Sequence, residues 1–411
     1  MVNAEVKKGL LFVSGGMLQV FALKRAKELG IETYLADGSE HCMARKFADH
    51  FYLISTKDHE GMAKLAKELI GNGKIQGVYT QGADVEYTVA YAAHKAGLPG
   101  IDPESALNCS DKSRARHLLV KNGVSSVDFE VVEKKEDAFR AISRVGYPCY
   151  IKPADNSASR GMTRLTSSDG LEKAIEDAFN ACFLVKKVLI EKDIPGEEYS
   201  VDTVMHNGIL YPAGISDRIF LSKEKYSVQI GSRTPSLIPA SIQDSMYQKM
   251  RAAAKVLGIT DGAFKGDLVV REDNNEVEII EVTARTSGGH DSQLRKPLSF
   301  GIDIMKATMD IALGQRFDPL DLVPRWVKWS STFAIFPEPG IVKNISGLEE
   351  ALAIPGVFDI TLLIKKGDVI EPYIHSAKRT NFITCVADTY EQLLELEDKI
   401  RKTLYIETSI L

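Results

Sequence analysis

Short apolar runs alternate with helix-length stretches through the N-terminal quarter of the chain. Leu10-Leu-Phe-Val-Ser14 reads as a strand and passes through Gly15-Gly16 into a helical stretch at residues 19–29. Thr33-Tyr-Leu-Ala36 reads as a second strand ending at Asp37, and Gly77-Val-Tyr-Thr80 as a third, followed by a helix through Ala96. Strands alternating with helices predict a parallel, doubly wound sheet.

The pattern changes near Asp111. Helices are expected at residues 112–122 and 135–145, a strand at Cys149-Tyr-Ile-Lys152, and a helix at 171–182. From Val188 onward strands dominate, interrupted by a helix at 245–258. The tail carries strand-like runs at 331–336 and 358–364 and a helix at 390–402. No internal repeat or low-complexity linker breaks the sequence, so packed domains are expected rather than tethered ones. The expected division is an α/β domain over residues 1–110, an α+β domain over 111–325 with a lid at about 148–192, and a small α+β cap over 326–411.

Composition narrows the function classes. The chain has 411 residues, 51 Lys+Arg against 56 Asp+Glu, and a net charge of −5, which is not the footprint of a nucleic-acid binder. No apolar run approaches the ~20 residues that span a bilayer. The polar opening at residues 1–9 has no signal-peptide layout. The five cysteines are scattered and form no Cys-x-x-Cys, which argues against a disulfide framework or a zinc site. A cytoplasmic protein with reduced thiols and no nucleic-acid or membrane partner is the expectation.

The strongest local signal is Phe264-Lys-Gly-Asp-Leu-Val-Val-Arg271, a polar turn, and Val277-Glu-Ile-Ile-Glu-Val-Thr283. Two β-rich runs around a polar turn predict a hairpin. A turn centred on Asn274 sets Asp267 directly opposite Glu281. Like charges facing across a ladder repel unless something neutralises them, and hard oxygen ligands suit Mg²⁺ or Mn²⁺. A one-residue slip would put the two acids on opposite faces. A second signal is Lys152 at a strand end, followed by Pro153-Ala-Asp-Asn-Ser-Ala-Ser-Arg-Gly-Met162. Small residues let backbone N–H groups approach phosphate oxygens and suit a mobile lid, although such loops are also common on bare surfaces.

These segments resemble, in order, the parts of the ATP-grasp superfamily. Asp111-Lys-Ser-Arg-Ala-Arg116 resembles the Asp-Lys opening, Tyr150-Ile-Lys-Pro153 the second lysine, and residues 156–161 the phosphate lid. Residues 189–202, with Glu191-Lys-Asp-Ile-Pro-Gly-Glu-Glu198, resemble the hinge, and Gly266-Asp-Leu with Glu281-Val-Thr-Ala-Arg285 resembles the metal hairpin. The upstream domain and the downstream cap resemble those of carboxylate–amine ligases.

The resemblance implies an ATP-grasp fold with ATP between two α+β subdomains. Lys112 and Lys152 are then expected at the phosphates, with Ser157, Ser159 and Gly161 in the lid. Glu191, Lys192 and Ile194 are expected at the adenine, Glu198 at the ribose, and Glu197 in solvent. Asp267 and Glu281 are expected to hold Mg²⁺, with Mn²⁺ as an alternative. The usual Asn-Pro-Arg after the second acid reads Thr283-Ala284-Arg285 here, so Thr283 becomes a weaker third ligand. Arg285 and Lys152 are expected to stabilise the transferring phosphoryl group. Ser287-Gly288-Gly289-His290 offers backbone N–H groups to a substrate carboxylate, with His290 as a further substrate or positioning residue. Residues 216–242, containing Arg218, Tyr226 and Arg233, read equally as a substrate loop with Arg233 anchoring a carboxylate or as an ordinary surface loop.

The implied chemistry is ATP-driven activation of a carboxylate and its transfer to an amine. An amino-acid substrate comes first because the tail resembles the cap of amino-acid and dipeptide ligases, and a homodimer is compatible with that. Alternatives are purine-biosynthetic or carboxylase-type members of the superfamily, an ATP-binding module without catalysis, and, from Gly15-Gly16, a dinucleotide-dependent oxidoreductase. The last lacks the full Gly-x-Gly-x-x-Gly, since Gly15-Gly-Met-Leu-Gln19 stands there.

Overall fold

The computed structural model describes residues 8–183, 185–222 and 224–409. Most of the polar opening at residues 1–9 therefore lies outside it. Strand His50–Leu53, strand Glu32–Asp37, strand Gly9–Val13 and strand Gly77–Tyr79 form a parallel sheet in that order. Successive side chains of Gly9–Val13 point to opposite faces, and both faces are covered. Leu10 and Phe12 pack with Leu23 and with Met305 and Met309 of the later helix Ile304–Ala312. Leu11 and Val13 pack with Met62, Leu65 and Ala92 of helices His59–Gly71 and Glu86–Ala96. Burial on both sides explains why these strands read as unbroken apolar runs.

A second, antiparallel sheet runs Phe129–Val132, Val188–Lys192, Cys149–Pro153, Thr163–Leu165. Helices Ala138–Val145 and Leu171–Asn180 bury Ile142, Val145, Ile175 and Ala178 against it. The sheet draws on Phe129–Val132, upstream of the segment read as the lid.

The third sheet has eight antiparallel strands: Val277–Thr283, Gly262–Arg271, Gly196–His206, Ile209–Phe220, Gln229–Thr234, Trp329–Phe333, Asn381–Ala387 and Val357–Leu362. Helix Ala240–Leu257 buries Met246, Met250 and Leu257 beneath its first strands. The tail strands thus continue the central sheet, and a three-stranded sheet of Val369–Ile370, Gly340–Ser346 and Tyr405–Ser409 follows. Residues 216–242 are not an irregular loop: Ile209–Phe220 and Gln229–Thr234 pair antiparallel there. The strand QIGSRT is polar in sequence because Ser232 and Thr234 are buried against hydrogen-bond partners rather than against apolar side chains.

Candidate active site

The hairpin of Gly262–Arg271 and Val277–Thr283 places Asp267 opposite Glu281, by a different route from a simple turn. Next to the turn the pairs are Val270↔Val277, Val269↔Glu278 and Leu268↔Ile279, a register that would bring Ile280 opposite Asp267. The register shifts between Asp267 and Leu268, and beyond it Glu281 faces Asp267. An extra residue in one strand of a pair re-aims the side chains that follow. Ile280 and Glu281 consequently line the same cavity. Helix Lys112–Lys121 supports the bulge, since Arg116 Nη2 donates to the Ile280 carbonyl at 3.0 Å.

Cations surround the two acids. Lys265 Nζ lies 2.6 Å and Arg218 Nη1 3.5 Å from Asp267 Oδ2, and Lys112 Nζ lies 3.0 Å from Glu281 Oε1. Burial of Asp267 opposes its ionisation, but Arg218 and Lys265 override burial and hold its pKa down to about 2. Asp267 Oδ1 and Thr283 Oγ1 are buried with no hydrogen-bond partner. Orphaned oxygens beside a carboxylate pair fit a divalent cation, and Mg²⁺ needs only one or two protein carboxylates when substrate phosphates complete its shell. Among the described residues no group of three His, Cys, Asp or Glu is arranged to hold a metal by itself.

Two cavities meet at this hairpin. The larger, about 840 Å³, is lined by Lys112, Lys152, Ser157, Ser159, Glu191, Lys192, Ile194, Glu197 and Glu198 together with Asp267 and Glu281. Here Glu191 is buried between Arg116, at 2.5 Å, and Lys152. Its side chain is committed to these cations, so any contact it makes with a nucleotide is through its backbone. Lys192 Nζ donates to the Tyr147 carbonyl at 2.7 Å, Glu198 pairs with Arg218 at 2.7 Å, and Glu197 is exposed. Lys112 Nζ also donates to the Asn156 carbonyl at 2.6 Å, which ties the helix start to the lid loop. Gly161 is not among the lining residues. At φ 70° it packs so tightly on helix Leu171–Asn180 that an added Cβ would stand 2.3 Å from Ala181 Cβ, so it shapes the loop from behind.

The smaller cavity, about 270 Å³, shares Ser157, Ser159, Arg218, Asp267 and Glu281 with the larger one and adds Arg285, Ser287, Gly288 and Gly289. Arg285 donates from Nε to Asp84 Oδ1 at 2.9 Å and from Nη1 to the Thr286 carbonyl at 3.0 Å. Asp84 follows strand Gly77–Tyr79, at the carboxyl end of the parallel sheet where such folds gather ligand contacts. Burial opposes its charge, and Arg285 outweighs burial to bring its pKa down to about 2. The neighbouring Glu86 goes the other way: burial pushes it up to about 7 against the pull of Arg285. Ser287 donates its N–H and hydroxyl to Asp202, which also pairs with the fully buried Lys296. The cradle facing the cavity is therefore Gly288-Gly289, with Ser287 anchoring it.

Two expectations fail. His290 does not reach either cavity. It is fully buried between Phe21 and Phe382, with Nδ1 near Thr384 Oγ1 at 3.2 Å. Burial lowers its pKa to about 4, so the ring is neutral at neutral pH. Its φ of 63° is what swings the side chain away from the glycine cradle and opens the following turn. His290→Asn, which tolerates that φ, is expected to lower apparent Tm through a cavity of roughly 1–3 kcal/mol while leaving kcat within about twofold. Calorimetry beside steady-state kinetics checks this. Arg233 likewise points away, making a two-pronged pair with Glu397 at 2.8 and 2.9 Å and meeting Tyr390 Oη at 3.2 Å. It joins the central sheet to helix Tyr390–Thr403 and lines neither cavity.

Residues missed in the sequence reading complete the site: Asp84, Lys265, Arg295 and Arg379 line the smaller cavity, and Arg116 the larger. Arg116 closes the Asp-Lys segment and Asp84 lies in the short loop after a strand, which are legible signals. Arg379 lies far downstream in the tail and carries none.

Comparison with known proteins agrees with this architecture. The ATP-grasp domain model matches residues 145–293, and the model "L-amino acid ligase C-terminal domain 2" matches 332–409. An L-arginine-specific L-amino acid ligase of Bacillus subtilis is 24% identical over 337 residues, 79% of this chain and 78% of that protein. The L-amino acid ligase structure from Bacillus licheniformis superposes with a TM-score of 0.85 at 21% identity, covering 98% of this chain and 99% of that one. The biotin carboxylase domain of a Hydrogenobacter thermophilus 2-oxoglutarate carboxylase, solved with MgADP, gives 0.73 at 20% identity over 98% and 91%. Two domain models matched in chain order and a fold shared along nearly the whole chain show that it carries an ATP-grasp domain followed by the C-terminal domain of L-amino acid ligases.

Proposed function

We propose that this enzyme uses ATP and Mg²⁺ to activate a small carboxylate as an acyl phosphate and joins it to an amine, with an amino acid as a substrate. The observation that carries the reading is the junction at Asp267 and Glu281 of a nucleotide-sized cavity with a smaller, charge-lined one. A carboxylate is a poor electrophile because its leaving group would be oxide. Its oxygen attacks the γ-phosphorus, the bond to ADP breaks, an amine attacks the resulting acyl carbon, and inorganic phosphate leaves.

The side chains fit these demands. Lys112 and Lys152 supply positive charge at the phosphates, and Ser157 and Ser159 present the lid over them. Mg²⁺, when bound by Asp267 and Glu281, neutralises phosphate oxygens as they meet an anionic nucleophile. Arg285, held by Asp84, aims its guanidinium at the charge that develops on the transferring group. Gly288 and Gly289 orient the substrate, and no nucleophilic serine, cysteine or histidine is required. A phosphate-release screen of paired L-amino acids with MgATP tests the reading. Release that needs two substrates together supports it. ATP binding with no turnover across the screen would favour a binding module instead.

A further inference from the structure

Residues 287–291 form an arch, and Ser287, Gly288, Gly289 and Asp291 of it line the smaller cavity. Gly289 and His290 are both left-handed, at φ 62° and 63°. A non-glycine residue is uncommon in that region, so local preference does not hold the arch and it needs ties from outside. One foot is Ser287. Its N–H donates to Asp202 Oδ1 at 3.2 Å and its hydroxyl to Oδ2 at 2.7 Å. Asp202 belongs to strand Gly196–His206, inside the central sheet. The other foot is Asp291, which opens a π-helical turn, Asp291–Arg295. The wider turn of a π-helix lets the residues at i+4 and i+5 both flank residue i. Asp291 accordingly meets Arg295 at 2.7 Å and Lys296 at 3.3 Å. Lys296 Nζ also pairs with Asp202. One ammonium therefore joins both feet.

The surrounding structure is shaped to admit this charge. Lys296 is fully buried, and Asp202, Asp291 and Arg295 are buried with it. Strand Ile209–Phe220 loses its regular register with Gly196–His206 between Pro212 and Ile215. Gly214 stands there at φ 108°, and an added Cβ would lie 2.8 Å from Phe300 Cε2 and 3.5 Å from Lys296 Cδ. The glycine leaves room for the lysine stem. Burial opposes the ionisation of Asp291, and Arg295 and Lys296 override burial to lower its pKa. A buried ion pair is often no more stable than apolar residues of the same volume, so its charges contribute direction rather than stability. Here the direction is that of the arch. Ser292 and Gln293 hold the Ser287 carbonyl from within the same turn, at 2.7 and 2.9 Å, whereas Asp202 and Lys296 fix the arch to the sheet. None of these side chains lines the larger cavity.

We propose that Lys296 is a positioning residue: by tying Asp202 to Asp291 it fixes the arch from which Gly288 and Gly289 face the substrate. The proposal rests on the ligase reading above and adds to it a residue that lines neither cavity. Lys296→Met is expected to lower kcat/KM for the acid and amine substrates about 100-fold, while KM for ATP stays within about twofold. It also leaves Asp202 unpaired, so the apparent Tm falls. Lys296→Met combined with Asp202→Asn removes one charge of each sign. The double variant is expected to regain most of the lost Tm and to keep the loss in kcat/KM. Recovery of kcat/KM together with Tm would show a purely structural ion pair and overturn the proposal. A parallel rise in KM for ATP, or near-wild-type kcat/KM in Lys296→Met, would also overturn it. Hydrogen exchange read by mass spectrometry needs no turnover and so separates the proposal from the ligase reading. Amides of residues 287–294 are expected to exchange at least about 10-fold faster in the double variant, with those of the lid, residues 154–162, unchanged. That result keeps the positioning role even if no substrate pair turns over. Unchanged exchange at 287–294 rejects it even if the ligase reading holds.

Discussion

Asp267→Asn and Glu281→Gln will each lower Mg²⁺-dependent turnover by roughly a thousandfold or more, while the protein stays folded. Each substitution keeps the shape of the side chain and removes its charge. Asp267 Oδ1 has no protein partner, so an amide there meets a cation with a weaker oxygen or with an N–H dipole of the wrong sign. The loss falls on kcat more than on nucleotide affinity, because Lys112 and Lys152 remain in the larger cavity. A magnesium titration of kcat in each variant measures it, and near-full activity at saturating metal would sink the assignment. The folded-state pKa of Asp267, about 2, also fixes a pH signature. Because this pKa lies below the ordinary 3.8, the group contributes stability that is present above about pH 4 and is lost as pH falls toward 2. No inflection in activity above pH 4 arises from it.

Much of this candidate site is legible in the order of its motifs, since Lys112, Lys152, Glu191, Glu198, Asp267 and Glu281 converge on one cavity. The parallel sheet was legible for a simpler reason: strands buried on both faces leave unbroken apolar runs. His50–Leu53 escaped because it is a half-exposed edge, HFYL, without such a run. The Asp267–Glu281 pairing is instructive in a different way. A turn centred on Asn274 gives the right partners through a register that the structure does not keep. The true turn is offset, and the bulge at Ile280 restores the pairing. A bulge depends on what grips it, here Arg116, and that contact joins residues 164 positions apart. His290 and Arg233 were misread because residue type cannot say which way a side chain turns. A left-handed φ buries the first, and Glu397, far downstream, captures the second. Arg379 was invisible for the same reason: its place on the smaller cavity, over the Phe382 ring, is a property of three-dimensional neighbours.

The largest effect on stability is expected at Glu191. Its carboxylate lies between Arg116 and Lys152, and all three side chains are buried. Removing one member of such a cluster leaves the others charged and dry, which costs about 3–5 kcal/mol. Glu191→Gln is therefore expected to lower the apparent Tm by many degrees, although the new side chain is nearly the same size. Function should follow, because Arg116 also holds Ser125 at 2.8 Å and the Ile280 carbonyl, and Lys152, proposed to meet the phosphates, is held by the same carboxylate. The Gln variant should bind ATP more weakly even at temperatures where it is fully folded. The pH dependence separates this account from a packing effect. Burial alone would raise the pKa of Glu191, but Arg116 and Lys152 bring it down to about 2 from an ordinary 4.5. Its stabilisation is then complete above about pH 4.5 and disappears as pH falls through 2. Wild type and Glu191→Gln should differ most at neutral pH and converge in acid, as followed by scanning calorimetry from pH 7 to pH 3. A gap in Tm that stays constant across that range would mean that the charge cluster is not what the substitution breaks.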